Sequence, residues 1–238
     1  MMRHALLSAM AAAMVAGAVG SAQAQTLAYS FEAPPVNPDG FGPNGGGITI
    51  SQDTIGATQG LSSLKASVVN GATFVGALTS VVVPTIGDPP GLQSILFDLT
   101  VAQGQEFTGG FAVVGVTIFG ASQPGPGQQF GLPVQFADFE HIGGKAAGTY
   151  PVQIDLSSAT HPLTFATGQS FNDIFGPNPG APNDIIPTGF QFFLNKSGDA
   201  PLTVYIDNVR TVAIPEPASL GMAGMVGGIA IVALRRRK

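Results

Sequence analysis

The chain is written as short runs of alternating apolar and polar residues, each closed by a cluster of Gly and Pro, with no amphipathic stretch of three helical turns between them. That alternation is the period of a strand with one buried face. A parallel sheet would need crossover helices between its strands, so the missing helices point to antiparallel sheets. The expected fold class is all-β, an antiparallel β-sandwich of the jelly-roll kind. An up-and-down barrel is the competing architecture.

About ten strands are expected, at residues 27–32, 48–51, 64–70, 73–83, 95–101, 111–119, 132–139, 150–156, 189–195 and 202–209. In the fifth of these segments, residues 95–101 put Ile95, Phe97, Leu99 and Val101 on one side, opposite Asp98 and Thr100. The cleanest alternation is at 150–156, with Tyr150, Val152, Ile154 and Leu156 inward and Gln153 and Asp155 outward. Pro151 has no N–H to donate, so this strand lies at a sheet edge or begins near that residue. Residues 33–47 and 175–187 are rich in Pro, Gly and Asn and read as loops.

Both ends carry signals of a different kind. Residues 1–24 have a positive start at Arg3, an apolar stretch and the small-x-small site Ala22-Gln23-Ala24, the pattern of a secretory signal peptide cut after Ala24. Its partners would be the secretion translocon and signal peptidase. At the other end, residues 213–238 contain Pro215-Glu216-Pro217, an apolar segment at 218–234, and Arg235-Arg236-Arg237-Lys238. As a helix, residues 218–234 would reach about 25 Å, at the short end for a bilayer core, with the cations holding the terminus on the cytoplasmic side. The body left between the two is residues 25–212, long enough for one domain with a sizeable core.

Between residues 25 and 214 only Lys65, Lys145, Lys196 and Arg210 oppose thirteen acidic residues, a formal charge of −9. Such a surface repels phosphate backbones, and no basic stripe with interleaved aromatics offsets it, so nucleic acid is not expected as a partner. There is no cysteine, which excludes disulfides, thiolate metal sites and cysteine nucleophiles. An exported chain without disulfides has to draw its stability from packing or from a hard metal ion.

The ordered triplet at the C-terminus resembles the sorting signal of PEP-CTERM proteins of Gram-negative bacteria. The resemblance implies processing near Pro215, Glu216 and Pro217 by an exosortase-type membrane transpeptidase. The apolar segment would then be a temporary inner-membrane anchor, and the body would go to the outer surface or the extracellular matrix. On physical grounds alone, a permanent single-pass anchor is the alternative.

The body resembles the jelly-roll modules of carbohydrate-binding and galactose-binding-like proteins, through Phe31-Glu32, through Thr58-Gln59-Gly60 with Ser62-Ser63-Leu64-Lys65, and through residues 204–209. This resemblance implies Glu32 and Asp207 as ligands of a structural calcium, aided by backbone carbonyls at 59–63. The plainer reading makes Glu32 a solvated strand-end residue and Asp207 a turn cap or a partner of Arg210. If the last two strands pair, Gln191, Phe193, Asn195 and Tyr205 share an outward face that offers rings and amides to a sugar. The plainer reading is a half-buried sheet face.

No catalytic residue is assigned. His4, His141 and His161 form no metal-binding spacing, and no nucleophile elbow or phosphate loop is present. Asp138 and Glu140 can share a strand face, as a glycosidase or lyase would require, but two carboxylates at this spacing arise easily by chance. Asn195-Lys196-Ser197 fits a glycosylation sequon and reads as a turn. The sequence thus predicts an exported, non-catalytic component of the cell surface or matrix. The alternative is a carbohydrate-binding module for exopolysaccharide.

Overall fold

A computed structural model describes residues 25–69, 71–81, 92–122, 134–156 and 185–213. The signal peptide with Ala22 and Ala24, the segment 218–234, and Pro215, Glu216 and Pro217 lie outside the described residues, as does His161. Among the described residues no helix is long and apolar enough to cross a membrane.

Among the described residues eleven strands are present: β1 (Gln25–Tyr29), β2 (Gly42–Asn44), β3 (Ile48–Asp53), β4 (Ser63–Val68), β5 (Val75–Thr79), β6 (Leu92–Val101), β7 (Ala112–Ser122), β8 (Val134–His141), β9 (Gly148–Asp155), β10 (Ile185–Lys196) and β11 (Leu202–Ala213). The one helical element among them is a short turn at Pro38–Gly40. Sheet A has the order β3-β4-β11-β6-β9 with β1 also on β11, and sheet B has the order β2-β5-β10-β7-β8. Every ladder is antiparallel, and none joins the two sheets among the described residues. The molecule is a sandwich rather than a closed barrel.

The expected inward faces are inward except at Tyr150, which is half-buried, with its hydroxyl on the Ala146 carbonyl and the Lys145 ammonium over its ring. Ile95, Phe97, Leu99, Val152 and Ile154 from sheet A meet Val114, Val116, Phe190, Phe192 and Leu194 from sheet B in one core. Phe97 and Phe192 touch across the two layers edge to face, with ring centroids 5.2 Å apart. β9 is the edge strand of its sheet, so the missing N–H of Pro151 costs no internal ladder bond. Pro187 sits where the β10–β7 register shifts, the other place a strand tolerates proline.

Two expectations fail. Residues 42–44 lie in a segment read as loop, yet they pair with β5 as Gly42↔Leu78 and Asn44↔Gly76. Strands β10 and β11 do not pair; the turn between them carries the chain from sheet B to sheet A. β11 is the central strand of sheet A, and Gln25 of β1 lies opposite Val212 near its end. The beginning and the end of the folded body therefore emerge side by side.

Candidate functional site

Glu32, just past the end of β1, and Asp207 of β11 approach the same loop, residues 58–62. Asp207 is fully buried, and its Oδ2 accepts hydrogen bonds from the backbone N–H of Thr58 at 2.6 Å and of Gln59 at 2.7 Å. Glu32 Oε1 accepts from the backbone N–H of Leu61 at 2.9 Å and of Ser62 at 3.1 Å. The Thr58 hydroxyl donates to Asp98 Oδ2 at 2.6 Å and lies 3.2 Å from Asp207 Oδ2. The two carboxylates thus clamp one loop by its amides, and successive N–H groups make a natural cradle for an anion.

The plainer reading of these residues holds in part. Asp207 caps a loop and does not pair with Arg210, whose guanidinium reaches Asp98 at 3.9 Å and Gln25 Oε1 at 2.8 Å. Glu32 is exposed, and it also holds two amides. N–H groups of the loop, rather than its carbonyls, face the carboxylates. Among the described residues no group of three or more acidic or His side chains is arranged to hold a metal. One atom fits a hard cation: Asp207 Oδ1 is buried and has no hydrogen-bond partner.

The four residues expected to share a sugar-binding face are divided. Gln191, Phe193 and Asn195 lie on the outer face of sheet B, while Tyr205 lies in sheet A. Tyr205 and Phe193 are both fully buried, so neither ring is open to a ligand. Loops account for Tyr205: Gly56 packs against its Cβ, Lys65 Nζ lies 5.7 Å from its ring centroid, and its hydroxyl reaches Gln105 Oε1 at 3.1 Å. Phe193 is covered in part by Phe74, whose ring stacks on it at 5.5 Å.

Phe74 is the residue that sequence reasoning missed. It is 59% exposed and has φ 51°, a left-handed conformation that is an outlier for a bulky side chain. The amides of Asn44 and Gln191 bond to each other on the same outer face, and Gln191 lies across the bare surface of Gly76. Asn195, half-buried, occupies the next position along β10 on that face. The face therefore presents one ring with amides beside it. An aromatic at the mouth of a loop carries no periodic signal, and only the unusual φ marks it.

Among the described residues, other titratable groups are held in separate places, and the side chain of Asp138 lies outside the described residues. Glu140 pairs with Lys145 at 3.1 Å, and His141 packs edge-on against Phe111. Lys65 Nζ bonds to Asp53 Oδ2 at 3.0 Å. Burial raises the Asp53 pKa, but the N–H groups of Ile55 and Thr54 and the Lys65 ammonium outweigh it and hold the carboxyl below its ordinary value of 3.8. The Asp53 hydrogen bond raises Lys65 above its ordinary 10.5. Asn195-Lys196-Ser197 is not a free turn: Asn195 and Lys196 belong to β10, and Lys196 is buried with Nζ on the Gly198 carbonyl.

Comparison with known proteins adds two findings. In fold, the chain is similar to CtCBM11 in its solution structure, at 17% identity and TM-score 0.48, over 83% of this chain and 100% of that one. It is also similar to the family 11 carbohydrate-binding module from Clostridium thermocellum in complex with a β-1,3-1,4-mixed-linked tetrasaccharide, at 15% identity and TM-score 0.45, over 82% and 99%. A third likeness is to the CBM22-1 xylan-binding domain of Paenibacillus barcinonensis Xyn10C, at 13% identity and TM-score 0.40, over 83% and 99%. No curated protein matches the sequence significantly. The family description that matches begins where β11 ends: residues 213–238 of this chain are a PEP-CTERM protein-sorting motif.

Proposed function

We propose that the chain is an exported, non-catalytic β-sandwich of the Gram-negative cell surface or extracellular matrix, delivered through its C-terminal motif. The observation that carries this reading is the junction. The motif starts at residue 213, the last residue of β11, so the tail begins where the central strand of sheet A ends. In this reading signal peptidase cuts between Ala24 and Gln25, and an exosortase-type membrane transpeptidase acts at Pro215, Glu216 and Pro217.

The use made of the acidic side chains supports a scaffold rather than an enzyme. Asp39 Oδ2 accepts from the N–H groups of Ser30 and Phe31, and Glu32, Asp53 and Asp207 hold loop amides in the same way. Each carboxylate is committed to a backbone amide, and a general acid or base has to be free to exchange its proton with substrate. Intact-mass spectrometry of the protein from membrane and culture-supernatant fractions tests the sorting. A C-terminus between residues 215 and 218 supports it; retention of Arg235 through Lys238 at full mass overturns it in favour of a permanent anchor.

Phe74 favours a second role for the same body, binding of exopolysaccharide on the outer face of sheet B. A sugar would stack on that ring and bond at its edges to Asn44, Gln191 and Asn195. A calcium ion held by Asp207 Oδ1 and Glu32 would serve the fold rather than chemistry, supplying positive charge to a buried oxygen that lacks a partner.

A further inference from the structure

The last strand is held in two separate halves. Residues 202–206 of β11 pair with β4, and residues 209–212 pair along the same edge with β1, as Val212↔Gln25, Thr211↔Thr26 and Arg210↔Leu27. Between them the β11–β6 register breaks from Asp207 to Arg210, and Asn208 takes a left-handed φ of 53°. The amide clamp at Asp207 fixes the first half at that break. The second half runs to Ala213, which still pairs with Leu92 of β6, so only Ile214 separates the sheet from Pro215.

β1 is a weak cover for that second half. It pairs with β11 alone, its register shifts between Leu27 and Tyr29, and Gln25, Thr26 and Leu27 are exposed. Short edge strands with solvated backbone bonds open at the low end of a protein's stability range. Once β1 leaves, residues 209–212 of β11 present a row of unpaired N–H and C=O groups on a strand that β6 continues to hold. Such an edge is a template for strand addition by a partner. Among the described residues, β11 is the extended backbone that lies nearest to the motif for an enzyme that must seat itself beside Pro215.

We propose that β1 is a releasable strap, and that residues 209–213 of β11 form a recognition strand on which the membrane-embedded processing enzyme docks by strand addition. This inference rests on the reading that the motif is processed. It makes processing sensitive to an element far from the motif in sequence and adjacent to it in space.

The absence of cysteine allows a clean test in the full-length chain. Thr26→Cys/Thr211→Cys places a thiol pair across the strap, and Ser67→Cys/Thr203→Cys places one across the β4–β11 half, where the native hydroxyls lie 3.1 Å apart. Processing is followed by mass in native cells and in their membranes, with and without reductant. The expected result is at least a tenfold slower cut for the oxidised strap pair, recovery on reduction, and a wild-type rate for the other pair. A locked strap cut at the wild-type rate, a block that reductant does not relieve, or equal slowing by both locks overturns the proposal. Wild-type protein left uncut overturns the processing reading itself.

Discussion

The Glu32 carboxylate occupies the space in which a side chain at Gly60 would begin. Gly60 has φ 78°, so an Ala there meets both a backbone penalty and a displaced carboxylate that holds two amides. Gly104 has nearly the same φ, 77°, and open space around it. G104A should cost about 1–2 kcal/mol, the left-handed penalty alone, and G60A about 2–4 kcal/mol. Urea unfolding of the two variants checks this; equal losses would mean that the carboxylate steps aside freely.

Asp207 is the second half of that clamp. D207A strands two loop amides and should destabilise by about 3 kcal/mol. D207N keeps the volume but gives up the charge that would attract a cation. If calcium binds there, millimolar calcium raises the wild-type Tm by several degrees over chelator and leaves D207N unmoved, as linkage requires. Identical wild-type melting with calcium and with chelator removes the metal and leaves the loop clamp as the whole role of the residue.

The Asp53–Lys65 pair gives a pH dependence of known sign. The Asp53 carboxyl is held below 3.8, so its contribution is present above that value and is lost as pH falls through the lower folded value. Lys65 is raised above 10.5, so its contribution is present below that value and is lost as pH rises beyond it. D53N should therefore lose less stability than wild type on acidification from about pH 5 to pH 2. Parallel acid melting curves for the two proteins would show that the pair contributes nothing.

Sugar binding is to be tested at Phe74 rather than at Tyr205. F74A removes an exposed ring at a strained backbone position and should leave Tm within about 1 °C while abolishing binding to any glycan the protein recognises. Y205A empties a fully buried site and should cost about 3–5 kcal/mol, so loss of binding in that variant would report unfolding. Glycan-array binding that survives in F74A excludes Phe74 as the stacking ring, and binding that survives in F74A/F193A excludes the outer face of sheet B.

Where alternation was strict, the sequence was a sufficient guide to the fold. Phe97, Leu99, Val152 and Ile154 point inward because each is followed by a residue that water accepts, and this local rule is enough to fix a face and to carry Ile95 with it, two residues before Phe97. Residues 42–44 were opaque because Gly-Pro-Asn has no strand preference of its own; β5 imposes the pairing. The misplaced face at Tyr205 has a different origin. The turn after Lys196 is short enough for a hairpin, and nothing in its composition says that it crosses between sheets. The burial of Tyr205 comes from loops at residues 56 and 105, distant in sequence. Glu32 and Asp207 meet at one loop, but the direction of that loop's amides is a property of its backbone and of no residue in it.

The central position of β11 bears on how the molecule carries load. A pull on the C-terminus opposed at the far end of the sandwich runs along β11, with β4 and β1 on one side and β6 on the other, so the ladder bonds are sheared together. A pull between the two termini instead starts at Gln25 and Val212, at the same end, and opens β1 one pair at a time. The same body is thus stiff toward a load along β11 and compliant to a force applied across its own ends, a mechanical anisotropy set by which strand was placed last.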